Sequence, residues 1–187
     1  MIRKAEEKDN EQLIDGIIQI YHDMESPLFE EVPLTTLRYM IKESMKDEDY
    51  RYRYEHGLVC VRNDKTAGFV FSYDGTEEGS MDEGFRERLR DHGFEKLASA
   101  PLEPETKPNE WYIDNLLTVP AFRKQGVGTE LLEAVSSVAV EAGKSIVGLN
   151  CDQDNDRAKR LYEKQGFKKV GEVKLGSHLY DHMTKQI

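Results

Sequence analysis

The segment VPAFRKQGVGTELL at residues 119–132 lies between two stretches of different periodicity. The preceding EWYIDNLLTV at 110–119 is rich in aromatic and apolar residues and predicts a strand. The following ELLEAVSSVAVEAG at 130–143 spaces its apolar residues at helical intervals and ends in a glycine, which predicts a helix. The quoted segment is therefore predicted to be a strand-to-helix turn.

This turn combines two basic side chains, Arg123 and Lys124, with Gly126 and Gly128. Amides at a helix N-terminus have no partner within the helix, and the helix dipole favours an anion there. Glycine lets the backbone approach an oxyanion without a Cβ in the way, and the Thr129 hydroxyl adds a donor. The turn is a candidate phosphate site, although a tight connection with two solvated bases would use the same residues.

The composition is that of a globular chain, with 187 residues, 38% hydrophobic and 33% charged. This length predicts one domain over 1–187. A net charge of −10 argues against a nucleic-acid partner. No apolar run approaches the roughly 20 residues of a bilayer span, which argues against a membrane partner. The N-terminal segment lacks an apolar signal region, so we expect a cytoplasmic protein with Cys60 and Cys151 as buried thiols.

Periodicity along the chain predicts the order β, α, α, β-hairpin, insertion, β, α, β, α, β, β. Asp9 and Gln12 are predicted to form a capping box at the first helix, and the charged segment 46–56 is predicted to be solvated. Residues 75–109 are interpreted as a helical insertion that includes a loop at 102–108. The order indicates an α/β (α+β) fold with a mixed, mostly antiparallel, twisted sheet and helices on both faces.

Two common phosphate motifs do not fit the turn. A dinucleotide-binding GxGxxG needs a third glycine, and a P-loop needs GK[ST] after the spaced glycine. The turn instead resembles the pyrophosphate loop of the GCN5-related N-acetyltransferases, [Q/R]-x-x-G-x-[G/A], written here Arg123-Lys-Gln-Gly126-Val-Gly128. NDRAKRLYEKQGF at 155–167 is similar to the second motif of that family, N-x-x-A-x-x-L-Y-x-x-x-G-F. The resemblance is strong over 111–167 and is limited to element order in the N-terminal half.

The resemblance implies that the chain binds acetyl-coenzyme A as a co-substrate. Tyr162 would protonate the leaving thiolate, and the Leu117 amide would polarise the acetyl carbonyl. Asn155 would contact the cofactor from the next helix, or serve only as its N-cap, and Tyr162 would otherwise be a core aromatic residue. The full set implied to bind the cofactor is Leu117, Thr118, Val119, Arg123, Lys124, Gln125, Gly126, Val127, Gly128, Thr129, Asn155 and Tyr162.

An amine acceptor needs a base to take up its proton. Alternation along the strand at 110–119 places Glu110, Tyr112 and Asp114 on one face. Asp114 is the preferred base, with a solvated acid as the competing interpretation. His178 and His182 share a face of the last strand and are interpreted mainly as solvated side chains, with lining of the acceptor pocket as the alternative. Two residues on a strand do not make a metal site.

The sequence therefore predicts a metal-independent N-acetyltransferase that moves an acetyl group to a primary amine in a ternary complex. The acidic chain would suit a cationic amine, and the protein would be a monomer or a homodimer. A ping-pong route through Cys151 is a less favoured variant. Two alternatives stay open: a non-catalytic acyl-coenzyme A-binding sensor or interaction module, and a nucleotide-binding protein.

Overall fold

The computed structural model describes residues 1–101 and 103–187. Residue 102, the first of the loop predicted at 102–108, lies outside these residues. The strands are β1 Ile2–Lys4, β2 Gly57–Arg62, β3 Lys65–Asp74, β4 Trp111–Thr118, β5 Ile146–Asp152, β6 Lys168–Leu175 and β7 His178–Gln186. The helices are α1 Asn10–Asp23, α2 Pro27–Glu31, α3 Leu34–Ser44, α4 Glu83–Asp91, α5 Glu95–Ala98, α6 Val127–Glu141 and α7 Asp156–Lys164.

These strands form one sheet in the order β1-β2-β3-β4-β5-β7-β6. Strands β4 and β5 pair in parallel, and the other neighbouring strands pair antiparallel. The β2–β3 hairpin turns at Asn63 and Asp64, which both have positive φ angles of 49° and 58°, as a tight hairpin turn requires. The predicted fold class, a mixed and mostly antiparallel sheet, is confirmed.

Helices cover both faces of the sheet because β3 alternates its buried side chains between them. Phe69 and Phe71 belong to one apolar cluster together with residues of α1, α3 and α4. Val70 belongs to a second cluster, on the opposite face, together with residues of α6, β4 and β5. The apolar stripes predicted for the first helix and for the helix after the turn are buried in these two clusters.

The parallel pair β4–β5 is short and then separates. It holds three residue pairs, Trp111–Val147, Tyr112–Gly148 and Ile113–Leu149. At the next residue, Asp114, the register with β3 shifts, which is a β-bulge in β4. A bulge bends and twists its strand, so β4 and β5 diverge beyond this point and leave a gap between them.

The prediction that residues 46–56 are solvated is wrong. Tyr50 and Tyr52 have relative exposures of 1% and 4%, and His56 is also buried. Tyr50 stacks on Phe85 of α4, with ring centroids 5.5 Å apart. Aromatic residues alternate with charged ones here. Burial of the aromatic rings stabilises the segment, and charged groups buried with them are paired within the fold, which offsets the cost of removing them from water.

Asp9 is the N-cap residue of α1, as predicted, but the predicted capping box with Gln12 is wrong, because the Asp9 side chain makes no capping hydrogen bond to α1. The capping box is formed one step earlier, by Glu6 and Asp9 around a 3-10 turn at Glu7–Asp9. The Asp9 carboxylate accepts from the Glu6 amide at 3.0 Å and pairs with the Arg3 guanidinium at 2.7 Å. Arg3 in β1 competes for this carboxylate, so Asp9 ties the strand to the helix and does not cap α1 with its side chain.

Residues 75–109 contribute α4 and α5, which pack against α3 and the cluster around α1. The chain then returns to β4 through residues that include Glu105 and Thr106. Thr106 is buried and donates to the carbonyl of Gly75 at 2.8 Å, closing the two ends of this segment. Over the ranges 1–101 and 103–187, we find no helix long and apolar enough to cross a membrane.

Candidate active site

The gap between β4 and β5 opens into a cavity of about 1150 Å³. One wall is formed by residues 114–118 of β4 and the turn into α6, and the opposite wall by residues 150–152 of β5 and α7. Side chains from α1, α2, α4 and the 50–52 segment line the remainder. This volume lies at the upper end of small-molecule sites and suits a large ligand.

The turn into α6 is shaped by two residues with left-handed backbone. Gly126 has φ +81° and directly precedes α6, and Lys124 has φ +62°. Gly128 is not left-handed, but a Cβ there would lie 3.0 Å from Leu161 of α7. The two glycines therefore serve different purposes: Gly126 provides the backbone angle, and Gly128 permits close packing of α7.

Four basic residues line this end of the cavity. Arg123 and Lys124 come from the turn, as the sequence predicted, and Arg157 and Lys164 come from α7. The sequence analysis did not name the two α7 residues. Their signal was present, because positions seven apart lie on the same face of a helix. Positive charge from two elements, the turn and α7, therefore lines the cavity.

The backbone of β4 bears on one predicted role. The Val119 amide donates to the carbonyl of Ala67 in β3 at 2.9 Å. Backbone amides alternate in direction along a strand, so the Leu117 amide also faces β3. The amides of Leu116 and Thr118 face the gap instead. This direction does not fit the role predicted for the Leu117 amide, whereas Leu116, which lines the cavity, directs its amide into the gap.

Tyr162 of α7 lines the cavity and packs against Phe167, with ring centroids 5.9 Å apart. Burial raises the pKa of its hydroxyl, and the nearby Cys151 adds to that shift. The phenol is thus protonated at neutral pH and able to donate. Tyr162 therefore packs on the apolar cluster and also reaches the cavity, and its role as a proton donor stays a prediction.

Asn155 is the N-cap of α7, because its Oδ1 accepts from the Ala158 amide at 3.0 Å. It also lines the cavity. The capping interpretation is therefore confirmed, and the same placement leaves a cofactor contact available.

Asp114 is buried, with a side-chain exposure of 4%. Its Oδ1 accepts from the Tyr52 hydroxyl at 3.1 Å. Its Oδ2 accepts from the Tyr73 hydroxyl at 2.6 Å and from the Arg51 guanidinium at 3.1 Å. Burial raises the pKa of Asp114, although Arg51 and the two tyrosines act in the opposite direction. The interpretation as a solvated strand acid is wrong.

Glu105 reaches the same place from the 75–109 segment, and the sequence analysis did not name it. Its Oε1 accepts from Arg51 at 3.0 Å, and its Oε2 accepts from the Tyr112 hydroxyl at 3.2 Å. Burial raises the pKa of Glu105 to about 7, against the opposing charge of Arg51. Its only sequence signal was a position in a loop, LEPETKP, that gives no periodicity.

Neither strand histidine is fully exposed, because the His178 side chain is half-buried and His182 is buried. His182 has a relative exposure of 3% and bonds Asn150 at 2.7 Å and Glu110 at 2.9 Å. His178 lines the cavity and bonds Asp152 at 2.9 Å. Across the ranges that the structure describes, no three His, Cys, Asp or Glu side chains are arranged to hold a metal ion.

Cys151 lines the cavity but is a poor nucleophile. Its relative exposure is 2%, and burial, with a contribution from Asp181, raises the pKa of its thiol to about 11. A thiol with this pKa is almost entirely protonated at neutral pH, whereas the thiolate is the reactive form. Cys60 is also a buried free thiol.

The structure brings most of the predicted residues to one cavity. Of the residues predicted to be catalytic or to bind the cofactor, those that line it are Asp114, Leu117, Thr118, Arg123, Lys124, Gly126, Val127, Gly128, Thr129, Asn155 and Tyr162. Val119 and Gln125 are not in that lining set. The Val119 carbonyl accepts from the Phe122 amide, and the Gln125 side chain donates to the Ala121 carbonyl at 3.0 Å.

A sheet that splays between two parallel strands, with a helix N-terminus at the gap, is the architecture of an acyl-coenzyme A-dependent acetyltransferase. The model of the acetyltransferase (GNAT) family matches residues 17–167. The chain belongs to this family.

Two solved structures are similar over their whole length. One is described as the crystal structure of an acetyltransferase; it is 36% identical, with TM-score 0.85, and the match covers 100% of this chain and 99% of that one. The other is an N-acetyltransferase from Staphylococcus aureus Mu50, 31% identical, with TM-score 0.85 and coverages of 98% and 99%. Aminoglycoside acetyltransferase AAC(6')-Ib, solved with coenzyme A and kanamycin, is 21% identical with TM-score 0.64 and coverages of 100% and 94%, and therefore shows the fold alone.

The curated relatives are larger proteins from Arabidopsis thaliana. GCN5-related N-acetyltransferase 5, chloroplastic, is 26% identical over 73% of this chain, and the match spans 41% of that protein. GCN5-related N-acetyltransferase 4, chloroplastic, is 32% identical over 32% of this chain and 20% of that protein. The chain thus matches less than half the length of each.

Proposed function

We propose that the protein transfers an acetyl group from acetyl-coenzyme A to a primary amine by direct attack within a ternary complex. The observation that carries this proposal is the single cavity at the β4–β5 gap. The Arg123–Gly128 turn and Tyr162 of the second motif both line it, and buried acids lie in the same space. Donor-binding and acceptor-activating groups therefore face one volume.

The turn would hold the pyrophosphate of the cofactor. Backbone amides from Lys124 to Thr129 supply donors at the positive end of α6. Arg157 and Lys164 approach from α7 and add charge for the phosphates. This arrangement explains why an acidic protein concentrates four basic residues at one end of its cavity.

The gap-facing amides of β4 would hold the reacting end. The Leu116 amide is directed to donate to the thioester oxygen, where negative charge develops as the amine attacks. The Thr118 amide faces the same gap two residues later and would bind the pantetheine arm. Tyr162 would then give its proton to the coenzyme A thiolate as it leaves.

The other end of the cavity suits a cationic acceptor with an apolar body. Carboxylates of Asp23, Asp82, Glu105 and Asp114 line it, together with apolar side chains of α1, α2 and α4. An amine of pKa about 10.4 needs about 4.6 kcal/mol to lose its proton at pH 7. Burial raises the pKa values of Glu105 and Asp114, and an acid with a raised pKa can accept the proton near neutral pH.

A panel assay tests this proposal. Coenzyme A release would be followed with acetyl-coenzyme A and primary amines that include polyamines, aminoglycosides, amino acids and lysine peptides, and the acetylated product would be identified by mass. We expect turnover with a cationic member of the panel. Coenzyme A binding without turnover on any amine would contradict transfer and favour a non-catalytic acyl-coenzyme A sensor. Stabilisation by nucleotides but not by coenzyme A would contradict the donor assignment.

A further inference from the structure

One guanidinium joins three carboxylates at the acceptor end of the cavity. Arg51 donates from Nε to Asp82 at 2.6 Å, and from Nη1 to Glu105 at 3.0 Å and to Asp114 at 3.1 Å. Asp82 and Glu105 come from the 75–109 segment, whereas Arg51 and Asp114 come from the body of the sheet fold. We call these four residues the Arg51 cluster.

The Arg51 cluster holds more negative than positive charge. With all groups ionised, three carboxylates face one guanidinium, which leaves a formal charge of −2. The side-chain exposures are 13% for Arg51, 12% for Asp82 and 4% for Asp114, so water compensates little of it. A buried excess charge is stabilised by a proton or by a bound cation. The protonated amine of the acceptor supplies both.

The three acids differ in how firmly they are held. Both oxygens of Asp82 accept from Arg51, one from its amide and one from its side chain. Asp114 accepts three hydrogen bonds at its two oxygens. Glu105 accepts two, and its side chain is the most exposed of the three at 20%. Glu105 is therefore the acid that a substrate reaches with the least disruption.

Tyr112 allows Glu105 to exist in two protonation states. Its hydroxyl donates to Glu105 Oε2 and accepts from the Asn150 amide at 3.0 Å. Asn150 also donates to the Glu105 carbonyl at 3.0 Å, which fixes the backbone. A hydroxyl can exchange donor and acceptor roles, so Tyr112 can bond either the carboxylate or the carboxylic acid.

We propose that Glu105, contributed by the 75–109 segment, is the catalytic residue that takes the proton from the acceptor amine. This role rests on the proposed acetyl transfer. The acceptor ammonium enters the Arg51 cluster, its N–H bond breaks, and an O–H bond forms on Glu105. The freed lone pair attacks the thioester carbon, the C–S bond breaks, and the thiolate takes a proton from Tyr162. The acetylated nitrogen loses its second proton to water, Tyr162 regains a proton from water, and Glu105 returns its proton to solvent, so that one proton is released per turnover.

The charged surroundings are consistent with such a base. Burial raises the pKa of Glu105 to about 7, Arg51 acts to lower it, and Asp114 and Glu78 act to raise it. A base works in its ionised form, so activity should rise with pH as Glu105 loses its proton around neutrality. The titratable and charged groups that face or influence Glu105 come from several elements: Arg51, Tyr73, Glu78, Asp82, Tyr112, Asp114 and Tyr180.

The test compares Glu105→Gln with wild type over pH 6 to 9, using the amine that the panel assay identifies. We expect kcat/KM of the variant to fall by about 10²–10⁴-fold above neutrality. The decline of kcat/KM toward low pH that protonation of Glu105 causes in wild type should be absent, and the affinity for coenzyme A should be unchanged. The fall in kcat/KM should be smaller with acceptors of lower amine pKa, because they lose their proton more easily. Glu105→Asp retains a carboxylate and should keep the decline of kcat/KM toward low pH. Glu103→Gln, an exposed neighbour that bonds the Gly176 amide, is the matched control and should keep wild-type kinetics.

A titration that needs no acceptor supplies the second measurement. Infrared difference spectra of the full chain between pH 6 and 8 should show a carboxylic acid band that Glu105→Gln removes. The band should persist in Asp114→Asn and titrate at lower pH, because a neighbouring negative charge is gone. A band that survives Glu105→Gln, or a variant with the wild-type pH profile, would overturn the role of Glu105 while leaving acetyl transfer intact. Coenzyme A binding without turnover on any amine would instead overturn the transfer on which this role depends.

Discussion

The donor half of the cavity, residues 116–129 and 155–162, and the acceptor half, built around the Arg51 cluster, are constructed differently. The donor half consists of two continuous segments and uses mainly backbone amides and helix ends. The acceptor half consists of side chains that lie as many as 63 residues apart, such as Arg51 and Asp114. Local segments can be identified from sequence, whereas a site assembled across the fold is visible only once the fold is known.

The largest expected effect is on the acceptor half, through Arg51→Met. Removing the guanidinium leaves three neighbouring acids without their cation, and breaking a buried ion pair in this way costs about 3–5 kcal/mol. The folded-state pKa values of Glu105 and Asp114 would rise further above their unfolded values. Above their unfolded pKa values these acids ionise more readily in the unfolded chain than in the folded one. The difference in unfolding free energy between wild type and Arg51→Met should therefore increase as pH rises through neutrality. Urea unfolding of Arg51→Met and of wild type at pH 5.5 and 8 measures the size of this loss and its dependence on pH.

If Arg51→Met lost the same unfolding free energy relative to wild type at both pH values, the charge balance proposed for the Arg51 cluster would be contradicted. Arg53→Met is the control, because Arg53 belongs to the same segment but donates to the Glu48 carbonyl and His56 outside the cluster.

The next effect tests the donor half through Gly126→Glu. This residue has φ +81°, and the change adds strain, a side chain and a negative charge beside the expected pyrophosphate. We expect coenzyme A affinity to fall by about 100-fold, or about 2.7 kcal/mol, in isothermal titration calorimetry. Gly143→Glu is the matched control, because Gly143 is also left-handed at +76°, at the other end of α6, with open space around it.

Gly143→Glu should lose stability and keep its affinity. Equal loss of affinity in the two variants would show that the turn acts through helix stability, and the assignment of the donor half would then fail.

A smaller effect is expected for Tyr162→Phe. The change keeps the packing on Phe167 and removes the hydroxyl that would protonate the thiolate. We expect kcat to fall by about 10–100-fold while the affinity for acetyl-coenzyme A stays within about twofold. Stopped-flow or steady-state assays at saturating donor measure it. Unchanged kcat would assign Tyr162 to packing alone.

The smallest effect separates the two roles of Asn155. Asn155→Ala removes the cap of α7 and should lower the free energy of unfolding by about 1 kcal/mol. Asn155→Ser keeps a capping oxygen and should restore most of that stability. If Ser restores stability but not coenzyme A affinity, the Asn155 side chain also contacts the cofactor. If both return together, it is a cap only.

The donor half was largely predictable because its signals are short-range. A strand, a left-handed glycine and a helix stripe follow one another between residues 111 and 141, and the second motif is one further continuous segment. Val119 and Gln125 lie outside the cavity lining, and the orientation of the Leu117 amide was not predictable, because the direction of an amide depends on pairing with β3. The sequence does not contain that register in any local form.

The acceptor half was predicted only at Asp114. Arg51 belongs to a segment predicted to be solvated, because its charges dominate the local composition although its tyrosines alternate with them. Glu105 belongs to a loop without periodicity. Their shared function exists only because Tyr112 and Asp114 of β4 hold positions that both side chains reach.

Initial-velocity kinetics test the ternary complex most directly. Rates would be measured over a matrix of acetyl-coenzyme A and acceptor concentrations, for wild type and for Cys151→Ala. The account predicts intersecting double-reciprocal lines in both proteins and no acetylated enzyme by mass spectrometry. Parallel lines in wild type, with an acetyl group on Cys151 and loss of turnover in Cys151→Ala, would contradict it.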